Sequence, residues 1–228
     1  ANDIKGDYIQ INAEIAGLKD NPESPDRTQL RGLYDTVNGK LEKVAAEVSE
    51  KSGVKTIIIE YDFTKLLTVA DAEALAELVT SKTKGLDIGI LANNVGILAF
   101  GPYHKTGLDK MFNSFTVNIA AQSVMTHIFT RRWVDDRKGK KCLIIDYSSV
   151  VALKPMGGAP LYCAEKSYNA ILSECLGKQY ENAYKNDPVN MPNIEFMRVY
   201  PNSVKSALNS GRLLFTVTSE QHAKAVVD

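Results

Sequence analysis

The stretch Cys142-Leu143-Ile144-Ile145-Asp146-Tyr147-Ser148-Ser149, followed by Tyr162-Cys163-Ala164-Glu165-Lys166, decides how this chain is read. An apolar run closed by two hydroxyls is the profile of a buried strand running into a turn. Tyr162 and Lys166 are four residues apart, so on a helix they share one face, one turn apart. A phenol beside an ammonium has its pKa drawn toward neutrality, which makes it a usable general acid or base. Ser149 is placed to hydrogen-bond the same substrate oxygen.

Working outward, the pattern alternates. Val54 to Ile59 predicts a β-branched strand ending at Glu60-Tyr61-Asp62-Phe63-Thr64, and Leu86 to Leu91 a second strand leading into Asn93-Asn94-Val95-Gly96. Residues 141–147 and 193–200 predict two more. Helical stripes cover 40–51, 70–83, roughly 106–133 and roughly 161–185, and Ser219-Glu220-Gln221 opens a short helix. Helices alternating with nearly continuous apolar strands predict an α/β, doubly wound parallel sheet with helices on both faces. Ligands of such sheets sit outside the carboxyl ends of the strands. Asp62, Asn93 to Gly96 and Ser148-Ser149 all follow predicted strand ends, so they are expected to line one crevice.

Residues 1–35 are ambiguous. Ile4, Tyr8, Ile11, Ile15 and Leu18 recur at helical spacing, with Asp3 able to cap, but Ile9, Ile11, Ala13 and Ile15 alternate as a strand would. Asn21-Pro22-Glu23-Ser24-Pro25-Asp26 reads as a loop. The expected organisation is a divergent segment over 1–39 and one domain over 40–228, incomplete at both ends.

Composition narrows the function classes. Apolar residues make 44% and charged residues 24% of the 228, as in soluble globular proteins. Lys plus Arg (27) equals Asp plus Glu (27), so no net field points to nucleic acid or an anionic membrane. No apolar run approaches the roughly 18 residues of a membrane span. Cys142, Cys163 and Cys175 form neither a disulfide framework nor a metal spacing, which fits an intracellular, reducing compartment. His104, His127 and His222 are far apart and give no metal set and no Ser-His-Asp order. Arg131-Arg132 and Lys138 to Lys141 read as a solvated basic surface around a loop, with an anionic partner as the alternative.

Over residues 40–205 the chain resembles a short-chain dehydrogenase/reductase. Tyr162-x-x-x-Lys166 matches the family's catalytic pair, with Ser149 at the usual distance before it. Asn93-Asn94-Val95-Gly96 resembles the Asn-Asn-Ala-Gly turn, and Asp62-Phe63-Thr64 the acidic residue that meets the adenine ring. Asn118, within Thr116-Val117-Asn118-Ile119-Ala120, matches the helix asparagine of the catalytic tetrad. Asn-Asn-Val-Gly, Asp-Phe-Thr and the Gly-Val-Lys-Thr at 53–56 are most similar to the 17β-hydroxysteroid dehydrogenase and very-long-chain 3-oxoacyl-CoA reductase branch.

The resemblance implies a Rossmann-type fold and an NADP- or NAD-dependent oxidoreductase acting on a carbonyl or secondary alcohol of a lipid-like substrate. It implies Tyr162 as proton donor or acceptor, Lys166 as the group that lowers its pKa and holds the nicotinamide ribose, and Ser149 as polariser of the substrate oxygen. It implies Asn118 in a water relay behind the lysine. Asp62, Asn93, Gly96, Tyr162, Lys166 and Val204 are the implied cofactor-binding positions. It also implies self-association through the helices near 106–133 and 161–185.

Each residue has a plainer reading. Ser149 and Asp62 suit helix caps or turns, Asn118 a solvent-facing helix position, and Asn93-Asn94 a turn tolerating positive φ.

One element is missing. The family's first βαβ unit carries Thr-Gly-x-x-x-Gly-x-Gly, whose glycines admit pyrophosphate to a helix N-terminus. Before Gly53 the glycines are Gly6, Gly17, Gly32 and Gly39, and Gly32 to Gly39 is the nearest, poor candidate. The unit is therefore either omitted from this sequence or lost. Asn202 replaces a usual glycine and Lys205 a common threonine, which weakens cofactor binding further. The alternative function is a non-catalytic scaffold subunit of a larger complex on the same fold, since fold alone does not decide function.

Overall fold

In the computed structural model, which describes residues 27–205 and 216–227, the chain forms two units, residues 1–91 and 92–228. The first described element of the first unit is helix α1 (Arg27–Ser52). A one-turn 3-10 helix follows at Phe63–Lys65, then α2 (Val69–Lys82). Thr68 starts α2 through a capping box. Its hydroxyl accepts from the Asp71 N–H at 3.2 Å, and the Asp71 carboxylate accepts from the Thr68 N–H at 2.8 Å. Among the described residues, Ile59, Phe63, Leu66, Leu75, Val79, Ile88 and Leu91 are the buried apolar side chains of this unit.

Three expectations for this unit need correction. From Gly53 to Asp62 the chain is neither helix nor strand. β-branched composition gives Val54–Ile59 the propensity for a strand, but a strand exists only through a neighbour, and this segment finds none among the described residues. The next strand is β1 (Ile90–Asn93) rather than 86–91. The apolar run foretold burial, which Ile88 has, and not where pairing starts. Gly32 to Gly39 lies inside α1, so this stretch forms no phosphate-binding turn. The readings of residues 1–26 lie outside the described residues.

The second unit is built on β2 (Lys141–Tyr147), the middle strand of a three-stranded sheet ordered β1-β2-β3. β2 and β3 (Asn193–Val199) are parallel, from Lys141 opposite Asn193 to Tyr147 opposite Val199. Both strands fall almost where the sequence predicts. Along β2 the deeper face carries Cys142, Ile144 and Asp146, all buried. The expected α/β parallel sheet with helices is present.

The predicted 106–133 helix is three pieces: α3 (Leu108–Phe115), a π-helical turn (Thr116–Ala120) and α4 (Ala121–Asp136). Two columns of buried residues run along it at four-residue spacing. Val117, Ala121, Met125, Phe129 and Trp133 form the apolar one, closed by the Phe129–Trp133 ring contact at 5.7 Å. Ser114, Asn118, Gln122, Thr126 and Thr130 form the polar one.

After β2 come the short α5 (Val150–Leu153) and the long α6 (Pro160–Asn186). Pro160 suits the first helical position, where its missing N–H has no intrahelical role. α6 packs closely on β3 at Gly177, where a Cβ would stand 3.4 Å from Phe196 Cβ, and Tyr180 stacks on Phe196 at 6.1 Å. Two-residue strands β4 (Val204–Lys205) and β5 (Val217–Thr218) pair in parallel before α7 (Ser219–Val227).

Candidate functional site

The end of β2 holds Lys166 from two directions. Ser148 Oγ donates to the Lys166 carbonyl at 2.7 Å, fixing the α6 backbone. Lys166 Nζ donates to the Tyr147 carbonyl at 2.7 Å. The ammonium is buried and lies 5.7 Å from the centre of the Tyr162 ring. Burial pulls its pKa down to about 8, against the opposing pull of Glu165 and Asp146. It therefore keeps its proton at neutral pH.

Tyr162 departs from expectation. Burial pushes its phenol up to about 12; Glu165, and Cys163 after it, push the same way. The Ser149 hydroxyl, hydrogen-bonding the phenol, acts in the opposite sense. The predicted lowering by Lys166 fails because that ammonium is directed to the Tyr147 carbonyl. Ser149 also caps α5, accepting from the Val151 N–H at 3.4 Å and donating to the Pro201 carbonyl at 3.4 Å. Cap and site-lining residue are thus the same serine.

Asn118 is buried, not solvent-facing. Its Oδ1 accepts from the Ile97 N–H at 2.8 Å, and its Nδ2 donates to the Ile97 carbonyl at 2.9 Å. That amide also donates to Ser114 Oγ at 3.2 Å and to Glu165 Oε2. The result is a tie between the turn after β1, the π-helical turn and α6. Gly96 lies inside that tie: a Cβ there would stand 3.3 Å from Asn118 Oδ1 and 3.4 Å from Lys166 Nζ. Asn93 Nδ2 donates to Thr126 Oγ1 at 3.0 Å and to Asp146 Oδ1 at 2.8 Å, so it staples β1 to α4 and β2.

Tyr162, Lys166, Ser149, Asn118 and Gly96 therefore come together, with Asn93 bonded beneath them. Asp62 belongs to the other unit, where its carboxylate accepts from the Thr64 N–H at 3.0 Å and Oγ1 at 2.7 Å. That is the plain capping role. Val204 lies in β4, its backbone paired opposite Val217.

Two carboxylates of the site were missed in the sequence. Asp146 and Glu165 are both buried, and burial raises the pKa of each, with Asn93 opposing it at Asp146 and Asn118 at Glu165. Asp146 was visible as a charge inside an apolar strand, sharing a face with Cys142 and Ile144. Glu165 was visible as one of three polar residues, with Asn169 and Ser173, at helical spacing on α6.

Among the described residues no group of three or more His, Cys, Asp or Glu could hold a metal ion. No described helix is long and apolar enough to cross a membrane.

The short chain dehydrogenase family model matches residues 30–212. The very-long-chain 3-oxoacyl-CoA reductase of Bos taurus is 30% identical over 154 residues, 66% of this chain and 46% of that protein. Human 17-beta-hydroxysteroid dehydrogenase type 3 is 33% identical over 144 residues, 62% of this chain and 43% of that one. Human inactive hydroxysteroid dehydrogenase-like protein 1 is 35% identical over 148 residues, 64% of this chain and 42% of that one. The chain thus spans less than half the length of these three relatives. A short-chain dehydrogenase from Sphingobium yanoikuyae in complex with NADPH shares the fold with a TM-score of 0.68 at 22% identity, over 82% of this chain and 68% of that one. The sheet, the Asn118–Tyr162–Lys166 cluster and the match over 30–212 agree: this chain belongs to the short-chain dehydrogenase/reductase family, within its hydroxysteroid dehydrogenase and 3-oxoacyl-CoA reductase branch.

Proposed function

We propose that the protein is an NAD(P)-dependent oxidoreductase acting on a carbonyl or secondary alcohol of a lipid-like substrate, of the steroid or 3-oxoacyl type named for its relatives. The observation that carries this reading is the meeting of Ser149, Tyr162 and Lys166 at the carboxyl end of β2, with Asn118 tied behind them.

The residues at the ribose end fit a nicotinamide dinucleotide. The Lys166 ammonium is charged at neutral pH, and the bare backbone of Gly96 lies against it. The described residues supply no glycine-rich turn at a helix N-terminus for the pyrophosphate. The dinucleotide, when bound, supplies or accepts the hydride. The protein's own part is proton chemistry. A phenol held at about 12 is protonated throughout the neutral range, so Tyr162 is a donor to a carbonyl oxygen gaining charge. Ser149 hydrogen-bonds the same oxygen and polarises it. Lys166 keeps a positive charge beside both. Asn118 holds the turn that carries Gly96.

Self-association through the helical stretches near 106–133 (α3 to α4) and 161–185 (α6) and an intracellular, reducing setting belong to the same proposal. Tyr168 and Ile171 are exposed on α6, and among the described residues Cys142, Cys163 and Cys175 take part in no disulfide. A scaffold role is the second reading, favoured by Gly32 to Gly39 lying in a helix.

The test is a titration with NADPH and NADH, followed by carbonyl-reduction assays of the wild type and Tyr162→Phe. Cofactor binding together with turnover that Tyr162→Phe abolishes, the variant staying folded, supports the reductase. No binding at millimolar cofactor moves the protein to the scaffold reading. Undiminished turnover in Tyr162→Phe sinks the mechanism.

A further inference from the structure

On α6, Glu165, Asn169 and Ser173 follow at four-residue steps, so they lie along one face. They are 1%, 2% and 0% exposed. Each has a buried polar atom that finds no hydrogen-bond partner among the described residues: Glu165 Oε1, Asn169 Oδ1 and Ser173 Oγ. Ser173 sits beside the Asp146 carboxylate closely enough to favour its charged form, but outside hydrogen-bond geometry. The other Glu165 oxygen is well served: Oε2 accepts from Ser114 Oγ at 2.9 Å and from Asn118 Nδ2.

A buried ionised carboxylate with one naked oxygen is expensive, and such a group neutralises instead. Here neutralisation has a further gain. Glu165 Oε1 and Asn169 Oδ1 are both acceptors with nothing donated to them, one helical turn apart. A single proton on Oε1 converts this pair of orphaned acceptors into a donor and an acceptor.

We propose that Glu165 is a positioning residue held as a neutral carboxylic acid, its Oε1–H donated to Asn169 Oδ1 while its Oε2 fixes Ser114 and Asn118 behind Lys166. The groups around it agree. α3 and the π-helical turn present Ser114 and Asn118, which are uncharged. On α6 itself the titratable neighbours are Tyr162 and Lys166. From β2, Asp146 acts on Lys166. Burial outweighs the pull of Lys166 on Glu165, so the carboxyl is raised. A neutral Glu165 removes a negative charge that opposes ionisation of Tyr162, and it leaves Asp146 as the carboxylate that holds the Lys166 pKa up. This inference deepens the reductase reading and rests on it for its catalytic meaning.

Its test needs neither cofactor nor turnover, so its failure is distinct from failure of that reading. The full-length protein is examined by difference infrared spectroscopy at neutral pH, as wild type and Glu165→Gln. The expected result is a carboxylic-acid carbonyl band in the wild type that Glu165→Gln removes. Folding stability is then followed against pH. A carboxyl raised on folding gives stability that is whole below its ordinary value of about 4.3. That stability falls as pH rises toward the folded value, by up to about tenfold in the folding constant per unit. Glu165→Gln, which keeps the donor to Asn169 and the acceptor to Asn118, is expected to match or exceed the wild type at neutral pH and to lose this slope. Glu165→Ala is expected to be destabilised at every pH. Absence of the band in the wild type, or a Glu165→Gln as damaged as Glu165→Ala, overturns the proposal.

Discussion

Replacing Asn118 tests how the site is held together. Asn118→Ala removes the donor to Glu165 Oε2 and both partners of the Ile97 backbone. The losses are unequal. Ile97 is half-buried, so water replaces much of what its N–H and carbonyl lose. Glu165 is buried and keeps only Ser114 on Oε2. A buried polar group left unsatisfied costs about 1–3 kcal/mol. With a smaller share from Ile97, Asn118→Ala is expected to lose about 2–3 kcal/mol in urea denaturation, a large part of the roughly 5–15 kcal/mol that holds an ordinary domain.

Asn118→Asp separates hydrogen bonding from volume. Asp still accepts from the Ile97 N–H but sets a second carboxyl against Glu165 Oε2 without a donor. At neutral pH Asn118→Asp should be less stable than Asn118→Ala. With Glu165 already carrying its proton, the introduced carboxyl is the group that titrates; burial raises it, so the lost stability returns as pH falls and it too is protonated. A denaturation midpoint for Asn118→Ala within about 0.5 kcal/mol of wild type, or an Asn118→Asp that is the more stable of the two at neutral pH, would refute the network as described.

Gly96→Ala places a methyl 3.3 Å from Asn118 Oδ1 and 3.4 Å from Lys166 Nζ. Both side chains must give by a few tenths of an ångström, so about 1 kcal/mol of stability is expected to be lost, with a larger proportional loss in cofactor affinity; calorimetry of folding and of NADPH binding reads both. Asp146→Asn keeps the acceptor for Asn93 Nδ2 while removing a buried charge. Because burial raises the Asp146 pKa, its contribution is whole at low pH and is lost as pH rises through the folded value. The variant should therefore match or exceed wild type in thermal unfolding at neutral pH and lose that advantage in acid.

The second unit was the more legible. β2 and β3 announce themselves because their apolar runs are also paired strands, with Ser148-Ser149 marking where pairing stops. α6 was readable as a long helical stretch over roughly 161–185, close to its observed Pro160–Asn186. Val54–Ile59 misled because composition records what a residue prefers, while a strand depends on a neighbour that the local sequence does not name. The cluster of Ser149, Tyr162, Lys166 and Asn118 was legible by spacing and resemblance. Its electrostatics were not, since the direction of an ammonium and the depth of a phenol are set in three dimensions. Lys166 turning to the Tyr147 carbonyl is such a case. Glu165 and Asp146 escaped notice because a charged residue in a helix or strand usually faces water.

The π-helical turn at Thr116–Ala120 acts as a phase corrector. In a regular α-helix each residue advances by about 100°, so a column at four-residue spacing drifts by about 40° per step. Carried from residue 114 to residue 133, that drift would swing both columns well off the faces on which they began. The wider turn winds each residue less and takes part of the drift back at its middle. Asn118 and Trp133 thereby keep their appointments with α6 and the apolar core on a single rod. Removing one residue from this turn would rotate everything on one side of it by about a quarter of a revolution. The helix could then aim either its polar column or its apolar column correctly, but not both.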